Sequence, residues 1–171
     1  MVLKLLYTNV IEVNAPWGAE VFMNDALREA GHQTYTVDYR ANRYRLAPCF
    51  QAAGDFDVFL LQRGDYFPIH LVEAIQRPRF FYFSELFAVQ RDADTLFKSN
   101  LFDHYFVRGY ACRNELILRG WIPEQKLSLL LSSFDPKTYY PNSVEKDIDI
   151  LFLASVTPRR ASGARETNRT T

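Results

Sequence analysis

The chain has 171 residues, 48% of them hydrophobic and 15% aromatic. That is enough apolar mass for one domain with a substantial core, and too much for a disordered chain. Its 20 basic and 20 acidic side chains balance to zero net charge, which argues against non-specific nucleic-acid binding, where a basic excess must displace counterions.

Residues 2–8 form a short Leu-rich run, the pattern of a buried strand. Lys4 interrupts it and no small-residue cleavage site follows, so it does not fit a signal peptide. Residues 19–30 show helical spacing, with Phe22, Met23, Ala26, Leu27 and Ala30 on one side. Gly31 stands where a left-handed helix cap belongs. Residues 33–38 predict a second strand, and residues 41–53 an irregular helix broken near Pro48. Residues 57–62 are a strongly apolar third strand.

Pro68 suits the first turn of a helix whose inward face carries Leu71, Val72 and Ile75. Residues 79–84, Arg-Phe-Phe-Tyr-Phe-Ser, predict a fourth strand. Residues 92–99 are a short helix carrying Leu96 and Phe97, and residues 103–107 a fifth strand. Residues 111–119 predict a helix with Cys112, Leu116 and Ile117 inward, stopped by Gly120. Residues 126–131 are a sixth strand. Strands alternating with helices at this spacing point to an α/β fold with a doubly wound, mostly parallel, Rossmann-like sheet. That domain covers residues 1–133, followed by a linker over 134–146.

Cys49 and Cys112 belong to no Cys-x-x-Cys pair, and the three His complete no zinc pattern. Two reduced thiols suit a cytoplasmic protein, and no metal is expected. No stretch approaches the roughly 20 apolar residues of a membrane span.

In an open parallel sheet, ligands bind beyond the carboxyl ends of the strands. The segments there are 9–20, 38–40, 62–65, 84–85, 108–109 and 132–135, each bringing polar groups to the end of an apolar strand. Trp17-Gly18-Ala19-Glu20 leads into the first helix, and Gly18 is expected to let the backbone turn tightly. Glu20 could meet a ligand or complement the helix dipole. Gln62-Arg63-Gly64-Asp65 follows the third strand. Arg63 suits a clamp on a phosphate or carboxylate, or a surface pair with Asp65. Arg108 follows the fifth strand. Glu85, at the end of an aromatic strand, suits a general base, or a helix cap or ion pair with Arg91. His32 and His70 are expected at the surface, and His104 in a strand. No Gly-x-Gly-x-x-Gly and no Gly-Lys-Ser/Thr loop is present, which counts against a dinucleotide dehydrogenase or an ATPase.

Several segments together resemble one family. Leu6-Tyr7-Thr8-Asn9-Val10-Ile11-Glu12 with Trp17-Gly18-Ala19-Glu20, Val58 to Asp65, Tyr82-Phe83-Ser84-Glu85, Leu101-Phe102-Asp103-His104 and Ser133-Phe134-Asp135-Pro136 look like the opening half of a two-domain GT-B glycosyltransferase. The nearest likeness is to bacterial spore-maturation, CgeB-like glycosyltransferases, over residues 2–160. The resemblance implies an N-terminal domain that receives a sugar or glycan acceptor and a facing domain that binds a UDP- or GDP-sugar donor, with no metal needed. It places Trp17, Gly18, Glu20, Arg63, Gly64, Asp65 and Arg108 along the substrate cleft, with Glu85 as the catalytic candidate that orients or deprotonates the acceptor.

On the same view residues 147–157 would be the first strand of the donor domain, and residues 158–171 a polar tail. The expectation is a chain that does not transfer sugar by itself and that self-associates through residues 147–155. Two other readings remain open. One is a non-catalytic Rossmann-like binding or regulatory module. The other is a flavodoxin- or response-regulator-like domain, against which stands the lack of an acidic cluster at the end of the first strand.

Overall fold

Runs such as Val-Phe-Leu-Leu and Phe-Phe-Tyr-Phe favour the pleated, two-sided burial of a parallel sheet. The computed structural model describes residues 1–11, 18–85, 93–131 and 136–137. Its strands are β1 (Lys4–Asn9), β2 (Gln33–Asp38), β3 (Val58–Gln62), β4 (Arg79–Phe83), β5 (His104–Val107) and β6 (Leu127–Leu129). All pair in parallel, in the order β2-β1-β3-β4-β5-β6. The helices between them are α1 (Ala19–Glu29), α2 (Leu46–Ala52), α3 (Ile69–Glu73), α4 (Asp94–Ser99) and α5 (Tyr110–Leu118). The fold is the doubly wound, Rossmann-like α/β sheet that the strand–helix alternation implied.

The two faces of the sheet differ. On one face, register sets Leu6 beside Phe59, Leu61 beside Phe81 and Phe81 beside Tyr105. These side chains are fully buried and join Leu46, Val72, Leu96, Phe97, Cys112 and Leu116 from α2 to α5 in one core. The Phe81 ring lies 5.1 Å from Phe102 and 5.3 Å from Phe97. Each such side chain contributes about 1.5–3 kcal/mol by leaving water.

The opposite face is covered by α1 over β1 and β2. Here the expected apolar side of the helix is corrected. Glu20 and Asn24 are its buried residues, Phe22, Met23 and Leu27 are half-buried, and Ala26 and Ala30 are exposed. The cause is the polar surface beneath. Thr34 of β2 donates to Asn24 Oδ1 at 2.7 Å and accepts from Arg28 Nε at 2.8 Å. A helix whose neighbour is a polar side chain buries a hydrogen-bonding residue there in preference to a leucine.

Other expectations shift in detail. Pro48 does not break its helix, because it occupies the first turn of α2, where no amide partner is needed. Pro68 is the residue before α3 begins. Gly31 takes φ +88° after α1, the left-handed stop that was expected. Both cysteines are free. His32 is half-buried, its Nδ1 accepting from the Leu3 amide at 3.3 Å, and His70 is exposed. His104 lies in β5, 2.9 Å from Ser128 Oγ.

The chain divides into two units, Met1–Thr138 and Tyr139–Thr171. The second unit lies outside the described residues, and with it the strand expected at 147–157, the tail at 158–171, self-association through 147–155 and most of the linker. No described helix is long and apolar enough to cross a membrane.

Candidate functional site

The chain runs from β1 to β2 on one side, then returns past β1 to β3 on the other. The direction of travel reverses between β1 and β3, and their carboxyl ends bound the crevice where parallel sheets hold ligands. α1 begins on one side of this crevice, and the turn after β3 forms the other.

That turn is unusual. The Arg63 amide donates to the Tyr82 carbonyl at 3.0 Å, extending the β3–β4 ladder by one residue. The backbone then takes φ +71° at Arg63, +81° at Gly64 and +57° at Tyr66. For Arg and Tyr this left-handed conformation costs roughly 1–2 kcal/mol each. Gly64 serves packing. A Cβ there would sit 2.6 Å from Leu96 Cδ1 and 2.8 Å from the Phe81 ring. It is buried within the turn.

The turn places Arg63 at the centre of three carboxylates. Its Nη2 lies 2.8 Å from Glu85 Oε1, Nη1 3.8 Å from Glu20 Oε1, and Nε 4.0 Å from Asp65 Oδ1. Four residues singled out from the sequence are thereby brought together from α1, the β3 turn and the end of β4. Of the two pairings foreseen for Arg63 and Glu85, the Arg63–Asp65 contact is the longest of the three. Glu85 pairs with Arg63; Arg91 lies outside the described residues.

Beneath the guanidinium the network is buried. Asp65 is 4% exposed and accepts from Tyr39 Oη at 2.8 Å and from Arg40 Nη2. Both of its oxygens are occupied, so it ties the turn after β3 to the loop after β2. Tyr39 packs edge-on against Phe67 at 5.5 Å. Tyr7 Oη donates to Gln62 Oε1, and Gln62 Nε2 donates to Ser84 Oγ at 3.5 Å, linking the ends of β1, β3 and β4.

This setting alters the phenols. Burial pushes the Tyr7 hydroxyl well above its ordinary range, and the Glu20 charge adds to the shift. Burial likewise raises Tyr39, helped by the charge and hydrogen bond of Asp65 and opposed by Arg40 and Arg63. Tyr82 is raised by burial, opposed by Arg108 and reinforced by Glu20. Burial weighs against the Arg40 charge, but its hydrogen bond to Asp65 and that carboxylate's charge leave Arg40 more firmly protonated. These tyrosines are neutral donors at neutral pH.

The remaining sequence candidates are placed as follows. Gly18 precedes α1 and its carbonyl accepts from the Val21 amide at 3.0 Å. Its φ of −76° is open to any residue, so the expected special turn does not occur at Gly18. Arg108 is half-buried at the end of β5 with no hydrogen bond or ion pair among the described residues. Trp17 lies outside the described residues. Tyr7 is a structural member of the site that the sequence did not single out, because a tyrosine in an apolar strand looks like any other core aromatic; Tyr39 and Arg40 belong to the 38–40 segment named as a strand end, but without a role of their own.

The exposed layer of the cluster is Arg40, Glu85 and Arg63, with side chains 38%, 29% and 19% accessible. It alternates guanidinium donors with carboxylate acceptors. A sugar hydroxyl both donates and accepts, so such a mixed surface matches a polyhydroxylated ligand better than a bare phosphate. No family model matches the chain, and no curated protein or solved structure matches it either.

Proposed function

We propose that residues 1–133 form the acceptor-binding domain of a nucleotide-sugar-dependent glycosyltransferase of GT-B type. The observation that supports this best is the convergence of Glu20, Arg63, Asp65 and Glu85 at the crevice between β1 and β3. Glu85 and Arg63 would take acceptor hydroxyls, Glu85 orienting the attacking one, while Asp65, Tyr39 and Arg40 hold the guanidinium in place. The family resemblance assigns the UDP- or GDP-sugar donor to a facing domain.

A non-catalytic glycan-binding module is the second reading. It is favoured by the 2.8 Å contact between Glu85 and Arg63, which engages the carboxylate as an ion-pair acceptor. The two readings share a ligand and differ in turnover. A glycan array probed with wild-type protein and Glu85→Gln tests both: binding to a defined set of glycans, weakened in the variant, is the expected result. Failure to bind any glycan would contradict both. Release of UDP or GDP from a nucleotide sugar in the presence of a bound glycan would then decide for the enzyme.

A further inference from the structure

Among the described residues the three most exposed aromatic side chains are Tyr44, Tyr66 and Tyr110, at 85%, 79% and 64%. All three follow the carboxyl ends of strands: Tyr44 in the loop after β2, Tyr66 in the turn after β3 and Tyr110 at the start of α5, after β5. The loops at the opposite edge carry Phe56, Phe102 and Trp121, and none of these is exposed. The exposed rings therefore gather at the edge that holds the polar cluster.

Tyr66 stands out among them. It occupies the third position of the turn closed by the Phe67 amide on the Gly64 carbonyl at 3.1 Å, with φ +57°. That position favours Gly or Asn, and a large side chain is held there against the backbone's preference. On one side is Asp65, fixed by Tyr39 and Arg40, and on the other Phe67, buried against Tyr39. The backbone of Tyr66 is thus anchored while the residue stays 79% exposed.

We propose that Tyr66 is the stacking platform of the glycan site: its ring takes the apolar C–H face of a pyranose whose hydroxyls meet Arg63 and Glu85. The inference rests on the glycan-acceptor proposal and adds the residue that would select a ring-shaped, polyhydroxylated ligand over other hydroxyl compounds. Aromatic rings supply large contact area with few rotatable bonds, and an anchored backbone leaves little main-chain freedom to lose on binding.

The test uses the full chain and the tightest glycan found on the array, titrated by calorimetry into wild type, Tyr66→Ala, Tyr66→Trp, Tyr66→Gly and Glu85→Gln. Tyr66→Ala is expected to weaken binding by about tenfold, while Tyr66→Trp stays within about twofold. Tyr66→Gly is expected to weaken binding like the alanine variant, yet to raise Tm by roughly 3 °C by relieving the left-handed conformation. If Tyr66→Ala binds as wild type while Glu85→Gln binds weakly, the stacking role is wrong and the glycan site stands. If wild type binds no glycan on the array, the stacking role falls together with the acceptor proposal.

Discussion

The two edges of the sheet use carboxylates in opposite ways. At the amino edge, Asp57 precedes β3 and Asp103 precedes β5. The Asp57 carboxylate accepts from the Lys4 amide, the first of β1, and the Asp103 carboxylate accepts from the Arg79 amide, the first of β4, both at 2.8 Å. Each aspartate also donates its own amide back, to the Lys4 or Arg79 carbonyl, at 2.8 Å. The device repeats, both residues are exposed, and it closes the ladder where a strand begins. At the carboxyl edge Glu20 and Asp65 are buried, Glu85 is partly so, and all three surround one arginine on a strained turn. Repetition at exposed positions serves folding. A single convergent cluster, held with buried charge and unfavourable φ, is where a fold departs from its own regularities, and such departures gather at functional sites.

The contrast has measurable consequences. The largest is expected from Asp65→Ala, which strips an acceptor from Arg40 and leaves the buried Tyr39 hydroxyl unmet. A loss of about 4 kcal/mol in urea unfolding is expected, with Asp65→Asn costing less because the Tyr39 bond survives. Next is Gly64→Ala. The added methyl meets Leu96 and Phe81 at a positive φ, so about 3 kcal/mol should be lost.

Alkaline pH offers a third comparison. Burial raises Tyr7, Tyr39 and Tyr82 above the ordinary value of 10.0 and Tyr105 to about 12. A group whose folded pKa is raised keeps its full contribution below the unfolded value and loses it as pH climbs towards the folded one. Stability should hold up to about pH 9 and fall steeply between about pH 10 and 12 as phenols ionise in the unfolded chain. Absorbance at the phenolate band during unfolding would follow it. A flat profile through that window would mean these hydroxyls are not buried in solution.

The smallest effects belong to the amino edge. Asp57→Ala and Asp103→Ala should each cost about 1 kcal/mol, since an exposed amide regains water. Neither should change glycan binding, whereas Glu85→Gln should weaken binding with a stability change of under about 1 kcal/mol. If the amino-edge variants impaired binding as strongly, the division of labour between the edges would be wrong.

The fold was legible in the sequence because apolar runs and helix stops are local signals. The six strands were expected within two residues of where they lie, and Gly31 ends α1 as its spacing implied. The face of α1 was not legible, because its partner Thr34 lies on another element and polar-on-polar packing leaves no hydrophobic period. At the site, the crevice rule located Glu20, Arg63, Asp65 and Glu85 by chain position alone. It did not reveal that Arg63 draws the carboxylates together, or that Asp65 is consumed by Tyr39 and Arg40. Those contacts depend on a positive φ at a non-glycine residue, which no sequence pattern announces.

The most direct measurement is the map of backbone amide shifts in the full chain as the tightest array glycan is titrated in. Changes centred on Ala19–Glu20, Arg63–Phe67 and Ser84–Glu85, with the amides of Asp57 and Asp103 unmoved, are the expected result. Changes centred on the amino edge, with the Arg63 turn silent, would contradict the assignment of the crevice between β1 and β3 as the ligand site.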